Sequence, residues 1–155
     1  MRRPYDRIRV SAITRKAAVG RATFYAHFAT KDALLRAELA RVVSHMLVDT
    51  PQERCLVECT RLFAHVQHAR NIFCSLTSGP AHVVTERIIQ DTLEARIAAA
   101  ATARGDVRTT TPTFAPRFVA STLLTLIAWS LEQRGAPSPE ELQETFRSLV
   151  GRALG

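Results

Sequence analysis

The stretch from residue 13 to residue 35, ITRKAAVGRATFYAHFATKDALL, constrains the fold of this chain more than any other. Ile13, Ala17, Val19, Phe24, Phe28, Leu34 and Leu35 are small or apolar, and Arg15, Lys16, Arg21, Thr23, Tyr25, His27 and Lys31 stand between them. This spacing reads as two short helices around a tight turn, followed by the start of a longer helix. Val10, Ile13 and Ala17 mark one face of the first helix, over residues 10–17. Ala18-Val19-Gly20 is the turn, and Gly20 can cap the second helix, over residues 21–28. Phe24 and Phe28 lie one helical turn apart and are expected to face inward against Ile13 and Val19. Thr30 caps the third helix and Lys31 opens it. A cation there opposes the helix dipole, a mismatch that a nearby phosphate would resolve.

Charge is distributed unevenly. The net charge is +7. Residues 1–47 hold ten Lys/Arg against three acids, whereas residues 48–155 hold eleven of each. The excess therefore sits with the helical pair, and basic charge confined to one end is the footprint of a polyanion binder. The polar side chains of the pair are donors of the kind that phosphate oxygens and base edges accept from.

The pattern Ile-x3-Ala-x-Val-x3-Thr-Phe-Tyr-x-His-Phe-x-x-Lys-x-x-Leu-Leu, running from Ile13 to Leu35, resembles the helix-turn-helix signature of TetR-type transcriptional regulators. The resemblance implies that Arg9, Ser11, Lys16, Arg21, Thr23, Tyr25, His27 and Lys31 grip double-stranded DNA, mostly through phosphates. It implies a homodimer on a palindromic operator, because two-fold proteins address paired half-sites. A small-molecule effector and a repressor role follow from the same likeness. Two departures stand out. The family favours Gly where this chain has Ala18, since that residue turns sharply and Gly tolerates positive φ. The family also places a longer helix ahead of the motif. Nine residues precede Val10 here, and Pro4 keeps them from forming a full helix. That first helix is expected to be missing, leaving Ile8, Ile13 and Phe28 more exposed.

The rest of the chain reads as helices. One is expected from Asp32 to about Leu47. Thr50-Pro51-Gln52-Glu53 has the form of a capping box and is expected to start a helix reaching about Ala69. A short helix covers residues 71–76, and a long one residues 83–103. A loop rich in threonine and proline follows. The last two helices span residues 114–133 and, from the capping box Ser138-Pro139-Glu140-Glu141, residues up to about Leu154. The first of these is apolar on most faces and must be covered from more than one side. A partner chain is therefore expected against Phe118, Leu123, Leu126, Ile127, Leu142, Phe146, Leu149 and Val150, as a four-helix bundle. An effector pocket is expected near Phe63, Phe73, Val84, Ile88 and Trp129. The fold class is all-α, with a helix-turn-helix DNA reader over residues 1–47 and a helical ligand-binding and dimerisation body over residues 48–155.

Other classes find less support. No apolar run reaches the roughly 18 residues of a membrane span, and no apolar stretch follows MRRPYDRIRV as in a signal peptide. A cytoplasmic protein is expected. Cys55, Cys59 and Cys74 lack a fourth ligand at a familiar metal spacing, so they read as structural, and no cofactor or metal is expected. The chain contains no GxGxxG, no HExxH and no Ser/His/Asp order, so it is not expected to be an enzyme. The alternative to a working regulator is a truncated one, a dimerisation module that does not bind DNA.

Overall fold

The computed structural model describes residues 5–50, 57–77, 82–103, 114–133 and 135–154. A 3-10 turn, Tyr5–Arg7, leads into α1 (Val10–Lys16), α2 (Arg21–His27) and α3 (Lys31–Met46). A short antiparallel pair follows, β1 (Val48–Asp49) with β2 (Val57–Glu58), in which Val48 faces Glu58 and Asp49 faces Val57. Then come α4 (Thr60–His68), α5 (Arg70–Leu76), α6 (His82–Ala103), α7 (Phe114–Glu132) and α8 (Pro139–Leu154). Among the described residues the fold is all-α apart from that pair.

The strand pair corrects one expectation. Residues 51–56, which hold most of the expected capping box, lie outside the described residues; residues 57–58 are extended, and α4 begins at Thr60. Val57 is extended and fully buried, which suits a β-branched side chain. Glu58, not Thr50, serves the new start: its Oε1 accepts from the Thr60 N–H at 2.7 Å. The Cys59 N–H donates to Gln143 Oε1 on α8 at 2.8 Å. The start of α4 is thus set by a contact 84 positions away in sequence.

The core lies among α3, α4, α6, α7 and α8. α6 contributes Ile89, Leu93, Ile97 and Ala100 at helical spacing, and α8 contributes Leu142, Phe146 and Val150. α4 adds Leu62, Phe63 and Val66. Each large apolar side chain buried in this way contributes roughly 1.5–3 kcal/mol. The second capping box forms as read. Ser138 N–H donates to Glu141 Oε2 at 2.8 Å, and Glu141 N–H donates to Ser138 Oγ at 3.2 Å.

α7 is long and apolar enough to cross a bilayer by length and composition alone. Its apolarity is explained by packing instead, because it lies against α6, α8 and α4 within the chain. Much of the expected dimer interface is enclosed within the single chain. Leu123, Ile127, Leu142, Phe146 and Val150 are at most 2% exposed, and Leu126 is also buried. A side chain already enclosed by its own chain cannot be covered by a partner. Phe118 is half-buried and Leu149 is exposed. The expectation assumed one neighbour for α7, and the fold supplies three.

α3 belongs to two assemblies. Its first turn meets the lead-in to α1, whereas Val43 and Leu47 at its far end sit in the main core. Arg36 pairs with Asp91 of α6 at 3.7 Å. Arg96 of α6 reaches Asp49 at 2.8 Å and the Leu47 carbonyl at 3.2 Å. The helix joining reader to body is therefore held along most of its length.

Candidate nucleic-acid interface

The site is built on α1, the turn and α2. α1 closes with Ala17 N–H on the Ile13 carbonyl at 2.9 Å and Val19 N–H on the Thr14 carbonyl at 3.0 Å. Between them, Ala18 has φ 54°, the left-handed conformation. For a non-glycine residue that costs about 1–2 kcal/mol. The chain accepts this strain because it turns sharply enough to set α2 beside α1. Gly20 then caps α2 with extended backbone, and its carbonyl accepts from the Phe24 N–H at 3.1 Å.

Phe24 is the anchor of α2. It is 5% exposed, with the Tyr25 ring edge-on at 5.3 Å and the Phe28 ring at 5.9 Å. Phe28 is half-buried at the C-cap, with Phe28 N–H on the Phe24 carbonyl at 2.8 Å. Val19 departs from expectation: it is 43% exposed rather than packed on the phenylalanines. The described lead-in is bonded to the first turn of α3. Ile8 and Ile13 are half-buried. Thr14 is the buried polar residue of α1, and its hydroxyl donates to the Ser11 carbonyl at 3.3 Å.

With Phe24 turned in, the polar residues of the pair are left outside. Arg9, Ser11, Lys16, Arg21, Thr23, Tyr25 and His27 are all exposed. Tyr25 shows about half of its surface, 51%. These seven present two guanidiniums, an ammonium, three hydroxyls and an imidazole. Such a face can hold phosphates and reach base edges in a groove.

Lys31 is different. Thr30 Oγ1 accepts from the Ala33 N–H at 3.0 Å and caps α3 as read. The Lys31 ammonium turns back from the helix. It donates to the carbonyls of Tyr5 at 2.9 Å, Asp6 at 3.2 Å and Ile8 at 3.2 Å. It also lies 4.4 Å over the Tyr5 ring. Backbone oxygens thus offset the mismatch with the helix dipole. Tyr5 is itself 7% exposed and donates its hydroxyl to Asp32 Oδ1 at 2.6 Å. Burial, and then the hydrogen bond to Asp32 and its charge, push the phenol above its ordinary pKa. Sequence reading missed Tyr5 and Asp32. A buried tyrosine in a basic lead-in gives no local sign of a partner 27 positions away.

The residues expected to line an effector pocket do not converge. Phe63 and Ile88 are buried core, Phe73 packs on the core from its edge, and Val84 and Trp129 are exposed. Helical periodicity marks burial, not a cavity. A cleft of about 380 Å³ does lie between α3 and α6, lined by Arg36, Ala40, Val43, Asp91, Thr92, Ala95 and Arg96. Among the cysteines, Cys59 is buried beside the Val57 carbonyl, Cys74 is exposed, and Cys55 lies outside the described residues. No group of three metal-ligating side chains forms among the described residues.

Two short helices at a strained turn, one buried aromatic anchor and a polar outer face define a helix-turn-helix DNA reader. Residues 1–37 match the family model described as bacterial regulatory proteins, tetR family. This N-terminal match supports a DNA-binding transcription regulator of the tetR type. Comparisons with curated proteins and with solved structures found no match.

Proposed function

We propose that the chain is a homodimeric, ligand-responsive repressor that binds a palindromic operator in the cytoplasm, with its reader in residues 1–47 and its body in residues 48–155. The polar face of α1 and α2 carries this reading. Arg9, Ser11, Lys16, Arg21, Thr23, Tyr25 and His27 grip the duplex, and phosphate contacts supply most of the affinity. Two copies meet through the outer faces of α7 and α8. Phe114 at 61% exposure, Trp129 at 45% and Leu149 at 47% support this. At 3.6 residues per turn, Phe114, Phe118 and Trp129 share an arc of about 60° on α7. The Phe114 and Phe118 rings stack at 6.0 Å. An effector acts by altering how α3 sits on α6, since α3 serves both reader and body.

The test is anisotropy of labelled DNA from upstream of the chain's own gene, at low and moderate salt, beside unrelated DNA. Expected is sequence-preferring binding that weakens steeply with salt. Sedimentation of Trp129→Arg is expected to shift a dimer toward monomer. Weak binding that is equal on both DNAs would sink the repressor reading and leave a dimerisation module in its place.

A further inference from the structure

The lead-in Tyr5–Arg9 lies as a strap between α1 and the first turn of α3. Its carbonyls at Tyr5, Asp6 and Ile8 take hydrogen bonds from Lys31 Nζ. An ammonium has three donors, and all three are engaged here. A phosphate contact at Lys31 would need one of them to break. The strap is fastened a second time where Tyr5 donates to Asp32. It is closed on itself where Ile8 N–H meets the Tyr5 carbonyl at 3.1 Å.

Beside the strap, a cleft of about 500 Å³ is lined by Asp6, Arg7, Arg9, Ser11, Ala12 and Arg15. Three exposed guanidiniums and a hydroxyl stand there against one carboxylate. Guanidinium forks match the geometry of phosphate oxygens. Two of the three arginines, Arg7 and Arg9, belong to the strap, so the cleft has its shape only while the strap is held.

We propose that Tyr5, Lys31 and Asp32 form a clasp of positioning residues, and that Arg7 and Arg15 join Arg9 and Ser11 in seating one DNA backbone phosphate in this cleft. The proposal rests on the DNA-reader reading above. Lys31 acts on DNA through the strap, without touching it. Arg7 and Arg15 are added to the contact set.

Two measurements on the full chain test this: DNA anisotropy across a salt series, and the rate of trypsin cleavage after Arg7 and Arg9 followed by mass spectrometry. The Arg7→Ala/Arg15→Ala double variant is expected to bind all DNA sequences more weakly, with a salt slope lower by about one. Tyr5→Phe changes no charge, yet it is expected to lower affinity roughly three- to tenfold and to speed cleavage. Lys31→Met is expected to do the same, and combining it with Tyr5→Phe adds little, because both open one clasp. Circular dichroism confirms that each variant keeps its helices. The proposal is overturned if Tyr5→Phe binds and is cleaved like the wild type while Lys31→Met alone lowers the salt slope. That result makes Lys31 a direct phosphate ligand. Wild-type chain that binds no DNA, yet whose strap loosens in Tyr5→Phe, supports the clasp and overturns the DNA-reader reading, and with it the phosphate cleft.

Discussion

Replacing Ala18 with glycine should stabilise this protein, although glycine substitutions in helical proteins usually do the opposite. Ala18 has φ 54°, and a non-glycine residue in that conformation carries about 1–2 kcal/mol of strain. Its methyl group is exposed, so removing it forfeits no packing. Against the relief stands the larger conformational freedom of glycine in the unfolded chain, about 0.4–1 kcal/mol. The difference favours Ala18→Gly by roughly 0.5–1 kcal/mol. For a chain of this size that raises Tm by about 1–4 °C. The neighbouring position supplies the control. Ala17 is also exposed but has φ −84°, an ordinary helical value. Ala17→Gly relieves no strain and should destabilise by about 0.5–1 kcal/mol. Urea or thermal unfolding of both variants measures the pair of signs. If Ala18→Gly destabilises as much as Ala17→Gly, the strain argument is wrong and the turn tolerates its conformation without cost. DNA affinity should change little in Ala18→Gly, since the glycine allows the same turn.

Other outcomes follow from the body and the clasp. Phe146→Ala removes a fully buried ring from α8 and should cost about 3–5 kcal/mol in chemical denaturation; a loss below about 1 kcal/mol would mean that the α4–α8 contact is not formed. Ser138→Ala deletes one half of the reciprocal cap on α8 and should cost about 1 kcal/mol, with the helix otherwise intact by circular dichroism. Arg96→Met removes the hydrogen bonds to Asp49 and the Leu47 carbonyl. Because Asp49 is half exposed, about 1 kcal/mol is expected rather than the full value of a buried ionic bond, and hydrogen exchange should rise at the end of α3. The clasp also sets a pH dependence. The folded state holds the Tyr5 proton more tightly than the unfolded chain does. Its contribution should be constant up to the ordinary tyrosine value of about 10 and decline above it, as the unfolded chain ionises first. Melting curves that fall no more steeply above that pH in the wild type than in Tyr5→Phe would refute it.

The reader was legible because its information is local. Gly20 as cap, Phe24 as anchor, the sharp turn at Ala18 and the hydroxyl cap at Thr30 depend on neighbours within four residues. The family match over residues 1–37 covers the same stretch. The boundaries of α6, α7 and α8 were likewise written in apolar spacing and in the Ser138–Glu141 box. These signals are short-range backbone preferences, and sequence displays them directly.

What the sequence could not decide was who covers whom. Leu123 and Phe146 were apolar either way, whether a partner chain or their own neighbours enclosed them. Only the packing of α7 against α6, α8 and α4 assigned them to the monomer and left Phe114, Trp129 and Leu149 outside. The start of α4 depended on Gln143, and the role of Lys31 on three carbonyls more than twenty positions earlier. Sequence alone determined that this chain carries a basic helix-turn-helix on an all-α body, because helix periodicity and turn chemistry are properties of adjacent residues. Tertiary structure decided which charged side chains are engaged within the chain and which apolar faces remain bare, because burial and ion pairing depend on segments distant in the chain.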